Sequence, residues 1–281
     1  MNDLLHPTTK RQIESFIVAP SHAVLLVGPS GVEKSQTAIG LAEQLLQTSY
    51  ESYPYKLQIA PEDKKSISIE QVRQLEHFLS LKVPSQAAIN RIVIIEDAHL
   101  LTLEAQNALL KTLEEPPGGS LIILSASHDQ ALLPTIRSRL QVISVKRPEK
   151  ASVKEYFRAE GYDSAAIEQA YVISSGLPGV MRALLDNTDH PLLIAVEQAR
   201  QLLSRSTYER LQMVDELTKQ RELALDTAGI LQQMAEISMQ TATGAAAKKW
   251  QKVLAAGYHA AEDLSTNAQP KLALTRLMLN L

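Results

Sequence analysis

Two short strings in this chain place charged and hydroxyl-bearing residues where a nucleoside triphosphate and its Mg²⁺ could be handled. The first is GPSGVEKS, residues 28–35. A glycine-rich turn that ends in Lys and Ser at the mouth of a helix offers backbone N–H groups to phosphates, a cation to neutralise them and a hydroxyl for the metal. Gly28, Lys34 and Ser35 fit that pattern, and Gly31 adds conformational freedom. The second string is RIVIIEDAHLL, in which an apolar run stops at Glu96 and Asp97. Acids at the carboxyl end of a buried strand can hold Mg²⁺ beside the phosphates. The competing reading is that Glu96 and Asp97 cap the helix that follows. Seven histidines include no closely spaced pair, and the chain has no cysteine, which excludes disulfides and thiolate zinc sites.

These groups must be presented by strands and helices, and the patterning supplies them. Residues 23–27, 55–59, 91–95, 121–126 and 141–145 read as strands. Ser68 and Gln71 have the spacing of a capping box before a helix running to about residue 81. Thr102 is placed to cap a second helix, in which Ala105, Leu109 and Leu113 recur every four residues with Leu110 beside them. Pro116 and Pro117 stop it. Strands alternating with helices predict a parallel sheet covered on both faces, with ligands at the carboxyl ends of the strands. After Pro148 the strand signal ends. Residues 150–160, 165–174 and 180–185 read as three short helices, and everything from 191 onward is helical with polar links.

The 281 residues exceed one small core, so two or three domains are expected. A 45% apolar and 21% charged composition is that of a globular protein, and no apolar run approaches a membrane span. The amino terminus lacks an apolar signal segment, so the expected location is cytoplasmic, with no membrane partner. A net charge of −3 and few aromatic residues argue against a dedicated nucleic-acid binder. The compact basic clusters are Lys64-Lys65, Arg137 with Arg139, and Lys146-Arg147.

The string NALLKTLEEPP, residues 107–117, is more specific than any of this: it resembles the signature of the clamp-loader AAA+ family, subunits that load sliding clamps for bacterial DNA polymerase III. The tail around residues 267–274 resembles the last collar helix of those subunits. The resemblance covers essentially the whole chain. It implies a P-loop AAA+ parallel-sheet domain over 1–147, a three-helix lid over 148–187 and an all-α collar for oligomerisation over 188–281. Implied partners are the motor and delta subunits of the loader, with primer-template DNA and the sliding clamp met through the assembled complex. Asn107 and Lys111 are candidates to face that DNA.

Further site residues follow from the same resemblance. Ser127 lies near the family's polar residue after the fourth strand, with Ser125 as its competitor. Arg182 resembles the arginine that reaches from the lid to the subunit's own γ-phosphate; if the pocket is empty, it becomes a salt-bridge partner between lid and core. Ser138 and Arg139 match the first two residues of the family's Ser-Arg-Cys motif, and Leu140 replaces the Cys. In the family that arginine acts in trans on the phosphate bound next door, so Arg139 is the candidate arginine finger. The alternative is an arginine at an edge strand paired with a local acid.

Two departures bear on the chemistry. The glycine expected before Lys34 is Glu33, whose Cβ resists the conformations glycine allows and whose carboxylate would meet phosphate oxygens. The family's Asp-Glu pair is Glu96-Asp97 here, the two lengths exchanged. Displacements near an ångström can slow phosphoryl transfer about a hundredfold. The expectation is therefore a degenerate nucleotide site with weak or no ATP/Mg²⁺ binding, in an accessory subunit that assembles and regulates. The alternative is a motor-type subunit that hydrolyses ATP through an atypical P-loop.

Overall fold

The computed structural model describes residues 4–62, 66–83, 87–239, 242–265 and 269–281. Lys64-Lys65 and the Asn267-Ala268 part of the tail motif lie outside the described residues. The chain divides into two compact units, Met1–Ser152 and Val153–Leu281.

In the first unit the strands β1 (Ala23–Val27), β2 (Lys56–Ile59), β3 (Arg91–Ile95), β4 (Ser120–Ala126) and β5 (Gln141–Ser144) pair in the order β2-β3-β4-β1-β5. Every pairing is parallel. The apolar runs RIVII and SLIILSA are buried along their whole length, which is what a sheet covered on both faces demands of its central strands. The helices of this unit are α1 (Pro7–Val18), α2 (Lys34–Leu46), α3 (Ile69–Ser80), α4 (Leu103–Glu114) and the short α5 (Pro134–Arg137). Alternate strand residues Ala23, Leu25, Val93, Ile95, Ile122 and Leu124 share one core with Val72, Leu75 and Leu79 of α3 and with Ala105, Leu109 and Leu113 of α4. The four-residue stripe of α4 is thus its buried face. Removing a leucine side chain from water stabilises by about 1.5–3 kcal/mol, so Leu109 and Leu113 contribute strongly to holding this helix, beside Ala105. On the opposite side α2 packs on β1 and β4, and α1 on β5.

The helix ends follow local chemistry. Ser68 and Gln71 form the reciprocal capping box of α3. Thr102 accepts a hydrogen bond from the Ala105 N–H at the start of α4. At the far end of α3, the buried Arg91 guanidinium donates to the carbonyls of Leu79, Leu81 and Gly118, a cation set against the negative end of a helix. The β5 edge is closed by α1: Thr9 Oγ1 donates to the Ser144 carbonyl at 2.8 Å and accepts from the Lys146 N–H at 3.0 Å, while Gln12 Oε1 accepts from the Ser144 N–H at 3.1 Å.

No strand follows β5 among the described residues. The helices after it are α6 (Lys150–Ala159), α7 (Ser164–Ser174), α8 (Pro178–Asp186), α9 (Pro191–Ser204), α10 (Thr207–Gln212), α11 (Val214–Thr218), α12 (Arg221–Met239), α13 (Gly244–Ser265) and α14 (Pro270–Asn280). The long pair α12 and α13 pack together, and α14 lies against α10, α11 and α13. Leu274, Leu277 and Met278 of α14 are buried there, whereas Leu272 and Leu279 are 67% and 59% exposed. Among the described residues no helix is long and apolar enough to cross a membrane.

Candidate functional site

The loop from β1 to α2 leaves the carboxyl end of the sheet beside β4 and β5. Gly28 is required there: its N–H donates to the Ala126 carbonyl at 3.1 Å, and a Cβ would run into the Val145 carbonyl. Gly31 has φ +83°. Glu33 stands at φ 58°, ψ 45° in the left-handed region. The backbone at this position therefore keeps the conformation that glycine favours, and the glutamate takes it at a penalty of roughly 1–2 kcal/mol. Lys34 is buried, and its Nζ donates to the Gly28 and Pro29 carbonyls at 2.9 and 3.0 Å. The ammonium is hydrogen-bonded to its own loop, and these carbonyls compete with a phosphate for it. Ser35 lies in the first turn of α2, half-buried.

Glu96 and Asp97 leave β3 in different directions. Glu96 Oε1 accepts from Gln58 Nε2 at 2.6 Å. Asp97 is left-handed, φ 48°, and its N–H donates to Ser125 Oγ at 3.2 Å. Neither acid caps α4. Asp97 makes no side-chain capping bond to the 3-10 turn Ala98–Leu100, and Thr102 is the cap of α4. Ser127 meets the site through its backbone, donating its N–H to His99 Nδ1 at 3.4 Å, so Ser125 is the serine that touches the acid pair.

The fold also assembles what the spacing of the histidines gave no sign of. His99 and His128 stack obliquely, ring centroids 5.1 Å apart. Burial, then His128, then Lys34 push His99 down to about 3, and burial lowers His128 as well. His99 is thus neutral at pH 7, and its 4.0 Å approach to Asp97 Oδ1 is a polar contact between an imidazole and a carboxylate, with no ion pairing. No group of three or more potential metal ligands occurs among the described residues.

Arg139 follows α5. Its Nη1 donates to the Thr135 carbonyl at 2.7 Å, and its Nη2 meets Glu114 Oε1 at 2.6 Å. Arg137 pairs with Asp129 at 3.2 Å. Leu140, at the position of the family's Cys, is 8% exposed and joins the sheet core. A residue that sequence reasoning missed ties this segment to α4. Gln106 is buried; its Nε2 donates to the Leu101 and Ala131 carbonyls at 3.2 and 3.1 Å, and its Oε1 accepts from the Leu133 N–H at 2.8 Å. Its only sequence signal is a polar side chain beside an apolar stripe. Asn107 and Lys111 lie exposed on α4.

In the second unit, Arg182 of α8 makes a two-pronged pair with Glu160 at 2.9 and 3.3 Å, donates to Tyr156 Oη at 2.9 Å and lies over the Tyr156 and Phe157 rings. Glu160 is a partner within its own unit, where the sequence suggested a partner in the core.

A parallel sheet ordered β2-β3-β4-β1-β5, a glycine loop after its β1, acids after its β3 and helices from Lys150 onward define a P-loop AAA+ α/β protein. Residues 10–149 match the family model described as DNA polymerase III, delta subunit. The chain is 31% identical over 178 residues to DNA polymerase III subunit delta' of Pseudomonas aeruginosa, covering 56% of this chain and 54% of that protein. Against the Escherichia coli subunit delta' it is 32% identical over 173 residues, covering 61% and 50%. A solved structure, the DNA polymerase III gamma subunit-related protein of Thermotoga maritima, superposes with a TM-score of 0.53 at 21% identity, covering 95% of this chain and 97% of that one, a likeness of fold. The chain spans about half the length of the curated relatives it matches. It belongs to the DNA polymerase III delta-prime family of clamp-loader subunits.

Proposed function

We propose that this chain is an assembly and regulatory subunit of a clamp loader in DNA replication, without useful ATPase activity of its own. It stacks its helical second unit against motor and delta subunits and offers Arg139 to the nucleotide held by a neighbour. Contact with primer-template DNA and the sliding clamp comes through the assembled ring. The observation that carries this reading is the loop itself: Glu33 occupies the left-handed glycine position and Lys34 is spent on the Gly28 and Pro29 carbonyls. A phosphate competes with those carbonyls and must accept a carboxylate close by. Ser35, Glu96 and Asp97 remain as a degenerate metal-side set, and Arg182 is committed to Glu160.

Arg139 is suited to action in trans. Its guanidinium is one-third exposed and bonded only through groups on the surface of its own unit, and its planar fork matches phosphoryl oxygens. The tests are calorimetry of the isolated chain with ATP and Mg²⁺, and hydrolysis by a reconstituted loader. A dissociation constant in the low micromolar range, about −8 kcal/mol, would overturn the degenerate-site reading. Arg139→Ala should leave assembly intact and slow DNA- and clamp-stimulated hydrolysis; a finger contributes about 10³-fold or more at one site, and the bulk rate falls by less because other sites keep their own. Arg139→Lys should rescue poorly. An unchanged rate with the Ala variant rules the finger out. One observation favours the motor-type alternative, namely that the loop backbone keeps its glycine-type geometry despite Glu33. Tight ATP binding with turnover by the isolated chain is what that alternative requires.

A further inference from the structure

The proposed role of Arg139 leaves its partner unexplained. Glu114 is the last residue of α4, and a carboxylate there faces the negative end of the helix, the less favourable end for an acid. Its carboxylate meets Arg139 Nη2 at 2.6 Å, and Arg139 Nη1 is taken by the Thr135 carbonyl at 2.7 Å. Both terminal nitrogens that a finger needs are therefore occupied within this chain. The helix that carries Glu114 starts beside the chain's own acid pair: Asp97 enters the turn Ala98–Leu100, Thr102 caps α4, and α4 runs twelve residues, about 18 Å, to the carboxylate. Gln106 bolts α4 to the segment Ala131–Leu133 that leads into α5 and Arg139.

We propose that Glu114 is a positioning residue that parks Arg139, and that engagement of the neighbour's nucleotide is an exchange of acceptors. Arg139 leaves one carboxylate and the Thr135 carbonyl and takes phosphoryl oxygens, which carry more charge and more acceptor sites; no bond is made or broken and no proton moves. The inference rests on the finger reading above and adds to it an internal competitor. The side chains are 34% and 51% exposed, so the pair is a weak holder. An exposed ion pair biases a local equilibrium by a factor of about 1.5 to 5, which is enough to keep the arginine withdrawn when no phosphate faces it and little enough for a phosphate to win.

The test is a loader reconstituted with motor subunits and this full chain, carrying Glu114→Gln, Arg139→Ala, or both. Glu114→Gln keeps the size and removes the charge. It should raise kcat/KM for ATP about 1.5- to 5-fold, and the effect should vanish in the Arg139→Ala background. A Glu114 that merely supports the helix would act alike in both backgrounds. On the isolated chain, modification of Arg139 by an arginine-selective dicarbonyl, read by peptide mass spectrometry, should quicken in Glu114→Gln; Glu114→Asp should stay close to the parent. Should Arg139→Ala slow the loader while Glu114→Gln leaves kcat/KM unchanged or lowers it, the parking role is wrong and the finger stands. If Arg139→Ala has no effect, the finger and the parking role fall together.

Discussion

Substituting Glu33 by glycine and, separately, by alanine isolates the backbone of the nucleotide loop. Both changes delete the same carboxylate and its contacts, so their difference reports the conformation alone. The residue stands at φ 58°, ψ 45° at the mouth of α2. A residue with a Cβ pays roughly 1–2 kcal/mol to stand there, and glycine does not. Against that, glycine loses more freedom on folding than alanine, about 0.4–1 kcal/mol. The net expectation is that Glu33→Gly is more stable than Glu33→Ala by about 1 kcal/mol. For a chain of this size that is a shift in the unfolding midpoint of about 2–4 °C. Urea titrations followed by circular dichroism, with the slope held constant across variants, measure it. Equal stabilities, or a more stable alanine variant, would show that the loop does not hold the left-handed geometry in solution. The reasoning that links Glu33 to a glycine-shaped loop would then fail. The same glycine variant should bind ATP and Mg²⁺ more tightly than the parent if the carboxylate is the local obstacle.

Other expectations follow from the packing and the charges. His99 is held near 3 in the folded chain against about 6.5 when unfolded, so the unfolded state binds more protons below pH 6.5 and stability is lost as pH falls from there towards 3. Between pH 7 and pH 5 the loss from this residue should be about 2 kcal/mol, and His99→Gln should flatten the profile; a parent stability that is level over that range refutes the buried neutral imidazole. Gln106→Leu leaves the Leu133 N–H and two carbonyls without partners and should destabilise by about 2 kcal/mol in urea titrations, whereas Asn107→Ala on the exposed side of α4 should stay within about 0.5 kcal/mol. Leu272→Asp with Leu279→Asp should leave the thermal midpoint nearly unchanged and weaken co-elution with partner subunits; undiminished assembly would remove α14 from the interface.

The strands β1, β3 and β4 were legible because each is a buried run of apolar residues, whereas the edge strands β2 and β5 bury only Ile59 and Ile143 and gave a weaker pattern. The caps at Ser68 and Thr102 were legible because a side-chain oxygen three residues from an N–H is a local arrangement. The three helices after Pro148 came within about two residues of their ends because Gly161 and the run Gly176-Leu177-Pro178-Gly179 punctuate them. What stayed hidden depends on chain reversals. The stacking of His99 on His128 exists only because β3 and β4 are neighbours, so that the loops after them meet. The embrace of Arg139 by Glu114 needs α4 to end where α5 turns back. Arg182 was legible as a functional candidate, but its partner was not, since Glu160 lies two helices earlier, just past the end of α6, and nothing in the spacing distinguishes it from other surface acids. On the last helix Leu274, Leu277 and Met278 fill the second unit's own core and Leu272 and Leu279 stay exposed, a division set by which face α10, α11 and α13 cover.

The bonds from Thr9 and Gln12 to the outer side of β5 have a consequence for how copies and partners can meet. A sheet whose outer strand shows free N–H and C=O groups invites another chain to extend it, and growth of that kind has no built-in stopping point. Here the Ser144 donor and acceptor are already taken from within the chain. At the other margin β2 is only four residues long and carries Lys56, a charge ill-suited to lateral zippering. Association is left to side-chain surfaces, whose shape and charge can specify a neighbour and a fixed number of neighbours. Thr9 and Gln12 of α1 therefore act as a fence against open-ended polymerisation, and Thr9→Val with Gln12→Val should make this chain prone to self-aggregation before it loses its fold.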